Sequence, residues 1–417
     1  MKFSLYAPVI MLMLPALSAC ESKPSGNNSH LSSNPSARVF AEAPVAASRV
    51  IIDGDTVVVG KLTSKPETVT LLASEMFDDL KFVRLENSDE ALVGGGDTWV
   101  TDKRIIIYDG KSIKQFDHTG KYLGEVARKG QGPGEYAIAP YHITADEEAG
   151  SIFMAQYSAD RIMTYDLEGS YTGDIPLAYK TRKSIFTVDA ARRLITVAAL
   201  QFTVDGEVPV VWEQDFEGNV TDSVVRTYLA VNPDFSNEVN AGITPAGDGI
   251  TYSLYRIEPE PDTLYTYIDS RFRPDFTFDF GDDTPVHGLM SLPQFYVVTS
   301  YGSPVPTSEH SAYLPQLTPF VIDRTTLRGA PAVLMFDDFG TLTINQGWSD
   351  SHTPGYFSMC LDPGDLFDCL TAAPDTHPLA TDEGMNRMHQ LRESIDPDDN
   401  CYVLIGRWKT DPTSSRP

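Results

Sequence analysis

The chain has 417 residues, with 58 Asp and Glu against 32 Lys and Arg, a formal charge of -26 and 41% hydrophobic residues. That apolar content supplies a large core and excludes wholesale disorder. The acidic balance excludes a nucleic-acid partner, which needs clustered Lys and Arg to displace phosphate counterions, and it disfavours adhesion of side chains to an anionic lipid surface.

Lys2 is a minimal positive start, and Phe3 to Ala16 form an apolar run too short to span a bilayer as a mature helix. Leu17-Ser18-Ala19-Cys20 follows, hydrophobic three before a cysteine and small at two and one before it. The spacing resembles the bacterial lipobox. This implies a signal peptide over 1–19, cleavage between Ala19 and Cys20, and acylation of the Cys20 thiol, so that a lipid ties the mature protein to the membrane without spanning it. Glu21 is not the Asp that commonly retains such proteins in the inner membrane, which points to the outer one. Residues 20–48 are rich in Ser, Asn, Pro and Ala, lack apolar periodicity and read as a flexible tether with a reach on the order of 30 Å.

From about Val50 to residue 410 the pattern is β throughout, which predicts one domain over 49–410. Short β-branched runs such as Thr56–Val59, Arg104–Tyr108 and Ser151–Met154 are bounded by Gly, Asp and Asn. An internal repeat runs through them: an apolar strand ends in Asp-x-x-Gly at Asp117/Gly120, Asp166/Gly169 and Asp215/Gly218. Asp bonds its own backbone two residues on, and Gly supplies the positive φ that lets the next strand return. A period of this length with several strands per unit predicts propeller blades.

The segments Gly130-Gln-Gly132-Pro-Gly134-Glu-Tyr136, Pro140–Asp146, Gly150–Phe153 and Arg161–Asp166 together resemble one NHL-type repeat. Phe82–Glu86, Arg128–Tyr136, Asp262–Tyr265 with Pro274 and Phe278–Gly281, and Asp398–Asn400 leading into Cys401–Ile405 are similar to the landmarks of six-bladed β-propeller lipoproteins of Bacteroidota and related bacteria. The resemblance implies an all-β, six-bladed propeller. Six blades in this length require long insertions, expected at Thr299–Pro319 and Gln346–Pro378. One C-terminal helix is expected, capped by Thr381 or Asp382, with Met385, Met388, Leu391 and Ile395 on one face and Pro397 beyond its end.

The Gly-rich loop at 130–134 is not a phosphate cradle, because a strand and no helix follows it. Its role is to carry the chain from one blade to the next, with Arg128, Lys129 and Glu135 expected to pair between blades. Of the cysteines beyond Cys20, Cys360 and Cys369 are close enough in sequence for a disulfide, leaving Cys401 as a buried strand residue.

Propeller enzymes place Glu, Asn, Asp or His at the starts of inner strands, where blades converge on the channel. His142 is the best-placed single candidate for a channel-mouth ligand contact. Asp97 is second, as a calcium ligand or a turn residue, and calcium is the one cofactor weighed. No zinc signature and no Gly-x-Ser-x-Gly elbow are present. Trp348 and Tyr356, with Tyr301, Tyr313 and Phe357, are aromatics suited either to stacking on a ligand or to packing the insertions. The expected protein is a monomeric, lipid-anchored, non-catalytic binding or scaffolding module. Its expected partner is an envelope protein, an outer-membrane transporter or a glycan. The competing expectation is a metal-dependent hydrolase or lyase in the channel.

Overall fold

The repeated Asp-x-x-Gly signal turns the chain in the same way three times. Asp117 Oδ1 accepts the backbone N–H groups of Thr119 and Lys121 at 2.8 and 3.1 Å; Asp166 does so from Glu168 and Ser170, and Asp215 from Glu217 and Asn219. Gly120, Gly169 and Gly218 have φ of 89°, 88° and 85°. In this computed structural model, which describes residues 38–62, 66–308, 311–344 and 355–409, each turn joins the two outer strands of a blade. The signal peptide, Ala19, Cys20, most of the tether and Trp348 lie outside the described residues.

The N-terminal segment comprises β1 (Ala47–Ile52), β2 (Asp55–Lys61), β3 (Val69–Leu72), the short helix α1 (Ala73–Met76) and β4 (Phe77–Arg84). Blade 1 is β5 (Asp97–Val100), β6 (Arg104–Tyr108), β7 (Ser112–Asp117) and β8 (Tyr122–Arg128). Blade 2 is β9 (Pro140–Asp146), β10 (Ser151–Gln156), β11 (Arg161–Asp166) and β12 (Tyr171–Pro176). Blade 3 is β13 (Ser184–Asp189), β14 (Leu194–Ala199), β15 (Val211–Asp215) and β16 (Val220–Val224). Blade 4 is β17 (Glu238–Ile243), β18 (Ile250–Tyr255), β19 (Thr263–Ile268) and β20 (Arg271–Asp279). Blade 5 is β21 (His287–Ser291), β22 (Phe295–Ser300), β25 (Phe320–Asp323) and β26 (Gly329–Met335). It carries an inserted hairpin of β23 (Val305–Ser308) and β24 (Ser311–Tyr313). Blade 6 joins β27 (Tyr356–Leu361) and β28 (Tyr402–Trp408) to β4. The fold is thus a six-bladed β-propeller.

The N-terminal segment is a strap over three blades. β2 adds in parallel to the outer edge of blade 4 with Val58 opposite Phe276, and β1 extends that sheet further. β3 adds in parallel to blade 5 with Leu71 opposite Leu334. β4 runs antiparallel to β28 with Val83 opposite Val403, which closes the ring. Phe40, Ala43, Ala46 and Ala47 are already buried, Phe40 lying edge-on to Phe295 at 6.0 Å. The folded unit therefore begins ahead of the expected boundary at 48/49, because these apolar side chains have a blade to pack on.

The closing seam explains two of the sequence landmarks. The Asn400 side chain donates to Glu86 O and Ala91 O at 2.8 and 2.9 Å and accepts from Val93 N and Cys401 N at 3.0 and 2.9 Å, so all its polar capacity is used. Buried Asp399 pairs with Arg84 and accepts from the Tyr402 hydroxyl at 2.7 Å and from Asp396 N at 3.1 Å. Burial opposes its ionisation, but the Tyr402 hydroxyl, the Asp396 amide and Arg84 together hold the carboxyl below the usual range.

Beyond β27 the structure departs from expectation. The expected insertion at 346–378 contains strand β27 and a second helix, α2 (Pro363–Ala372), besides the expected helix, which is α3 (Asp382–Ser394). Asp362 caps α2 through Gly364 N, with Pro363 at its first position. Thr381 caps α3 by accepting from Gly384 N at 3.0 Å. Met388 is buried, and Met385, Leu391 and Ile395 pack on the same core, as their spacing implies.

Gly120 and Gly169 press on the preceding blade. A Cβ at Gly120 falls 2.0 Å from Arg84 O, and one at Gly169 falls 2.3 Å from Glu125 O, whereas Gly110 (φ 84°) has nothing within 4 Å. We expect Gly110→Ala to cost about 1–2 kcal/mol for its left-handed backbone, and Gly120→Ala roughly twice that or more, read by urea denaturation. Asp399→Asn should lose about 1–3 kcal/mol at pH 7. Because the Asp399 carboxyl is depressed, its stabilisation is present above the unfolded-state pKa of about 3.9 and is lost as pH falls through the folded value. The deficit of the variant in urea midpoint should therefore narrow below pH 4.

Candidate functional site

The first hairpins of blades 1 to 4 end at one face of the ring, and acids stand at or beside these turns. They enclose a cavity of about 740 Å3 lined by Asp102, Asp146, Glu147, Glu148, Asp189, Glu213, Asp248 and Asp269 against one base, Arg192. Asp is frequent there for a local reason: Asp146 Oδ1 accepts Ala149 N at 2.9 Å and Asp189 Oδ1 accepts Arg192 N at 2.8 Å, each tying down a tight turn. Glu147 reaches across from blade 2 to blade 1, accepting from Lys103 N at 3.0 Å and from the Thr101 hydroxyl. These local bonds gather the acids into a concave, negatively charged basin.

Two carboxyls there have shifted acidities. Asp102 is held below the usual range, first by the Tyr356 hydroxyl, which donates to it at 2.6 Å, and also by Arg407 at 2.6 Å. Glu213 is pushed up by burial and then by neighbouring Asp222. A second cavity of about 710 Å3 adjoins the first through Asp248 and Ile268 and carries Arg273 and Arg324. Arg324 lies over the Tyr296 ring at 4.4 Å. The face thus sets an acidic basin beside an arginine-bearing one.

Of the expected site residues, Tyr356 lines the basin, whereas His142 and Asp97 do not. His142 is buried on β9, donating from Nε2 to Phe186 O at 3.0 Å, edge-on to the Phe186 ring at 4.8 Å. It ties blade 2 to blade 3. Asp97 is exposed at the start of β5, and His287 is buried at the start of β21, with Nδ1 2.9 Å from Pro285 O. Among the described residues no three His, Cys, Asp or Glu side chains come together as a metal site. Tyr356 is 7% exposed, its hydroxyl on Asp102 and its ring under Arg407 at 4.9 Å, so it joins blade 6 to blade 1 at the basin wall. Phe357 is buried, Tyr301 packs on Tyr255 at 5.4 Å, and Tyr313 is exposed.

Arg128 and Glu135 do not bridge blades. Arg128 pairs with Glu125 on its own strand, and Glu135 folds back to accept Gly132 N at 2.8 Å. An amide available to a phosphate in an open loop is thereby occupied. The inter-blade work falls to Tyr136, whose hydroxyl donates to Lys111 O at 2.6 Å, and to Gly134, where a Cβ would meet Tyr171 at 2.6 Å. Cys360 is on β27 and Cys369 on α2, and all three described cysteines are free thiols. Strand pairing puts Cys360 beside the start of β28, whereas Cys369, its expected partner, lies on α2.

A family described as "Domain of unknown function (DUF4934)" matches residues 55–299, more than half of the chain. The chain belongs to that family. Among solved structures, this DUF4934 chain is similar to a "Putative exported protein" from Bacteroides fragilis NCTC 9343, with a TM-score of 0.54 at 16% identity, over 85% of this chain and 100% of the other. It is also similar to a member of the duf4221 family from Bacteroides vulgatus, with a TM-score of 0.40 at 9% identity, over 80% and 99% of the two chains. The first of these likenesses is one of fold. Among curated proteins none matches.

The Asp102 contact is testable. Tyr356→Phe removes its principal hydrogen bond, so the Asp102 carboxyl should return upward toward about 3.9, as read by a carboxyl-carbon NMR titration. Stability should fall by about 0.5–1.5 kcal/mol.

Proposed function

We propose that this chain is a non-catalytic binding module of the cell envelope, held to the membrane by a lipid on Cys20, with the acidic basin as its partner-facing surface. The observation that carries the reading is the basin itself, an open concavity of about 740 Å3 built from hairpin turns of four blades. Asp146 and Asp189 are engaged in backbone caps, and Glu147 and Asp102 in cross-blade bonds. They are arranged to hold a shape and a negative potential, which attracts and orients a partner of opposite charge. Its mouth lies at the C-terminal ends of the inner strands, not at their starts. Among the partners weighed, an envelope protein presenting a basic segment fits best, since a neutral glycan gains little from such a field. The exported fold relative and the lipobox-like N-terminus support placement in the envelope.

Two arms test the two halves of the reading. Labelling with a radioactive fatty acid in cells should mark the native chain and not Cys20→Ser; equal labelling overturns the anchor. Crosslinked pull-down from native membranes should recover a partner whose yield drops at least tenfold with Glu148→Lys and falls with rising salt. An unchanged yield with that variant overturns the basin as the docking surface.

A further inference from the structure

We propose that Cys360 and Cys401 are an oxidisable dithiol, a modification site at which a disulfide links β27 to the start of β28 within the sixth blade, beside its seam with the first. Cys360 lies opposite Val403 in the β27–β28 pair, so Cys401, two residues earlier, is its diagonal neighbour. Both side chains belong to the core cluster beneath the blade 6–blade 1 seam, whereas Cys369 packs on the separate core under the helices. The Cys401 thiol also donates to Val93 O at 3.3 Å, and its backbone carbonyl accepts Leu85 N at 3.1 Å. The pair thus sits where the chain leaves the closing strand β4 for the first strand of blade 1. A bond between them would close the loop that carries both α2 and α3.

A small-molecule disulfide such as oxidised glutathione supplies the oxidising equivalents. One of the two thiols, as its thiolate, attacks one glutathione sulfur; the glutathione S–S bond breaks, and a glutathione thiolate leaves and takes a proton. The other thiol, as its thiolate, then attacks the mixed-disulfide sulfur on the protein, forming the 360–401 bond and releasing the second glutathione. Two thiols are oxidised and one disulfide is reduced to two thiols. The inference stands on strand register and on burial in one core cluster, and not on the lipid anchor or the basin.

The test uses the full chain, folded, with and without oxidised glutathione. Digestion at acidic residues separates Cys360 from Cys369 at Asp362, Asp365 and Asp368. Mass spectrometry should find a peptide linking 360 to 401, two hydrogens lighter than the two thiol peptides combined. Tm should rise by about 5 °C on oxidation and return on reduction, given the length of the closed loop and the size of the domain. Cys369→Ser should behave as the native chain, and Cys360→Ser and Cys401→Ser should each lose the linked peptide and the rise. The proposal is overturned if no linked peptide forms in the folded chain, if the link involves Cys369, or if a 360–401 link forms without raising Tm.

Discussion

The ring exists because a strand from the beginning of the chain completes a blade made at its end. β4 pairs with β28, and the polar side chains around that junction are fully engaged: Asn400 bonds in four directions and Asp399 in three. A buried polar group left unsatisfied costs more than the bond it would have made contributes, so these residues also penalise wrong pairings. The positions of all six blades, and therefore of the hairpins that make the basin, depend on this closure being unique.

The strap strengthens the same solution. By adding β2 to blade 4, β3 to blade 5 and β4 to blade 6, the N-terminal segment covers the outer edges of successive blades, which would otherwise expose unpaired backbone. Lys61 with Asp279 and Ser74 with Asp337 fix its course over the first two of these junctions. The Phe278-Asp279-Phe280-Gly281 landmark is thereby explained: Phe278 packs so tightly on the strap that a Cβ at Gly60 would stand 2.6 Å from its ring.

Much of the fold was legible in the residues and less of the site. The Asp-x-x-Gly repeat identified three turns because each is a local device complete within five residues, and the helix capped by Thr381 carried a local signal of the same kind. Helix α2 had one too, in Asp362-Pro363, but it sat inside a Pro- and Gly-containing stretch that reads equally as loop. His142 illustrates the limit for the site. Placing it on an inner strand follows from the repeat, yet whether its imidazole meets the channel or the neighbouring blade depends on the contact with Phe186, 44 residues away. Likewise the basin acids are ordinary turn residues one at a time; only the ring brings them to one mouth. Nor does spacing along the chain show that Cys360 belongs with Cys401, since strand pairing between distant segments decides it.

The strap also orders events in time. Its contacts reach across the chain by 218 residues from Lys61 to Asp279, 263 from Ser74 to Asp337 and 315 from Arg84 to Asp399. β2 thus waits for blade 4 and β3 for blade 5, and β4 finds its partner only when nearly the whole polypeptide is present. Interactions this distant in sequence slow folding and leave sticky edges open meanwhile. A truncated chain would therefore present an uncapped strap and an open ring together, a condition that quality-control proteases and chaperones recognise.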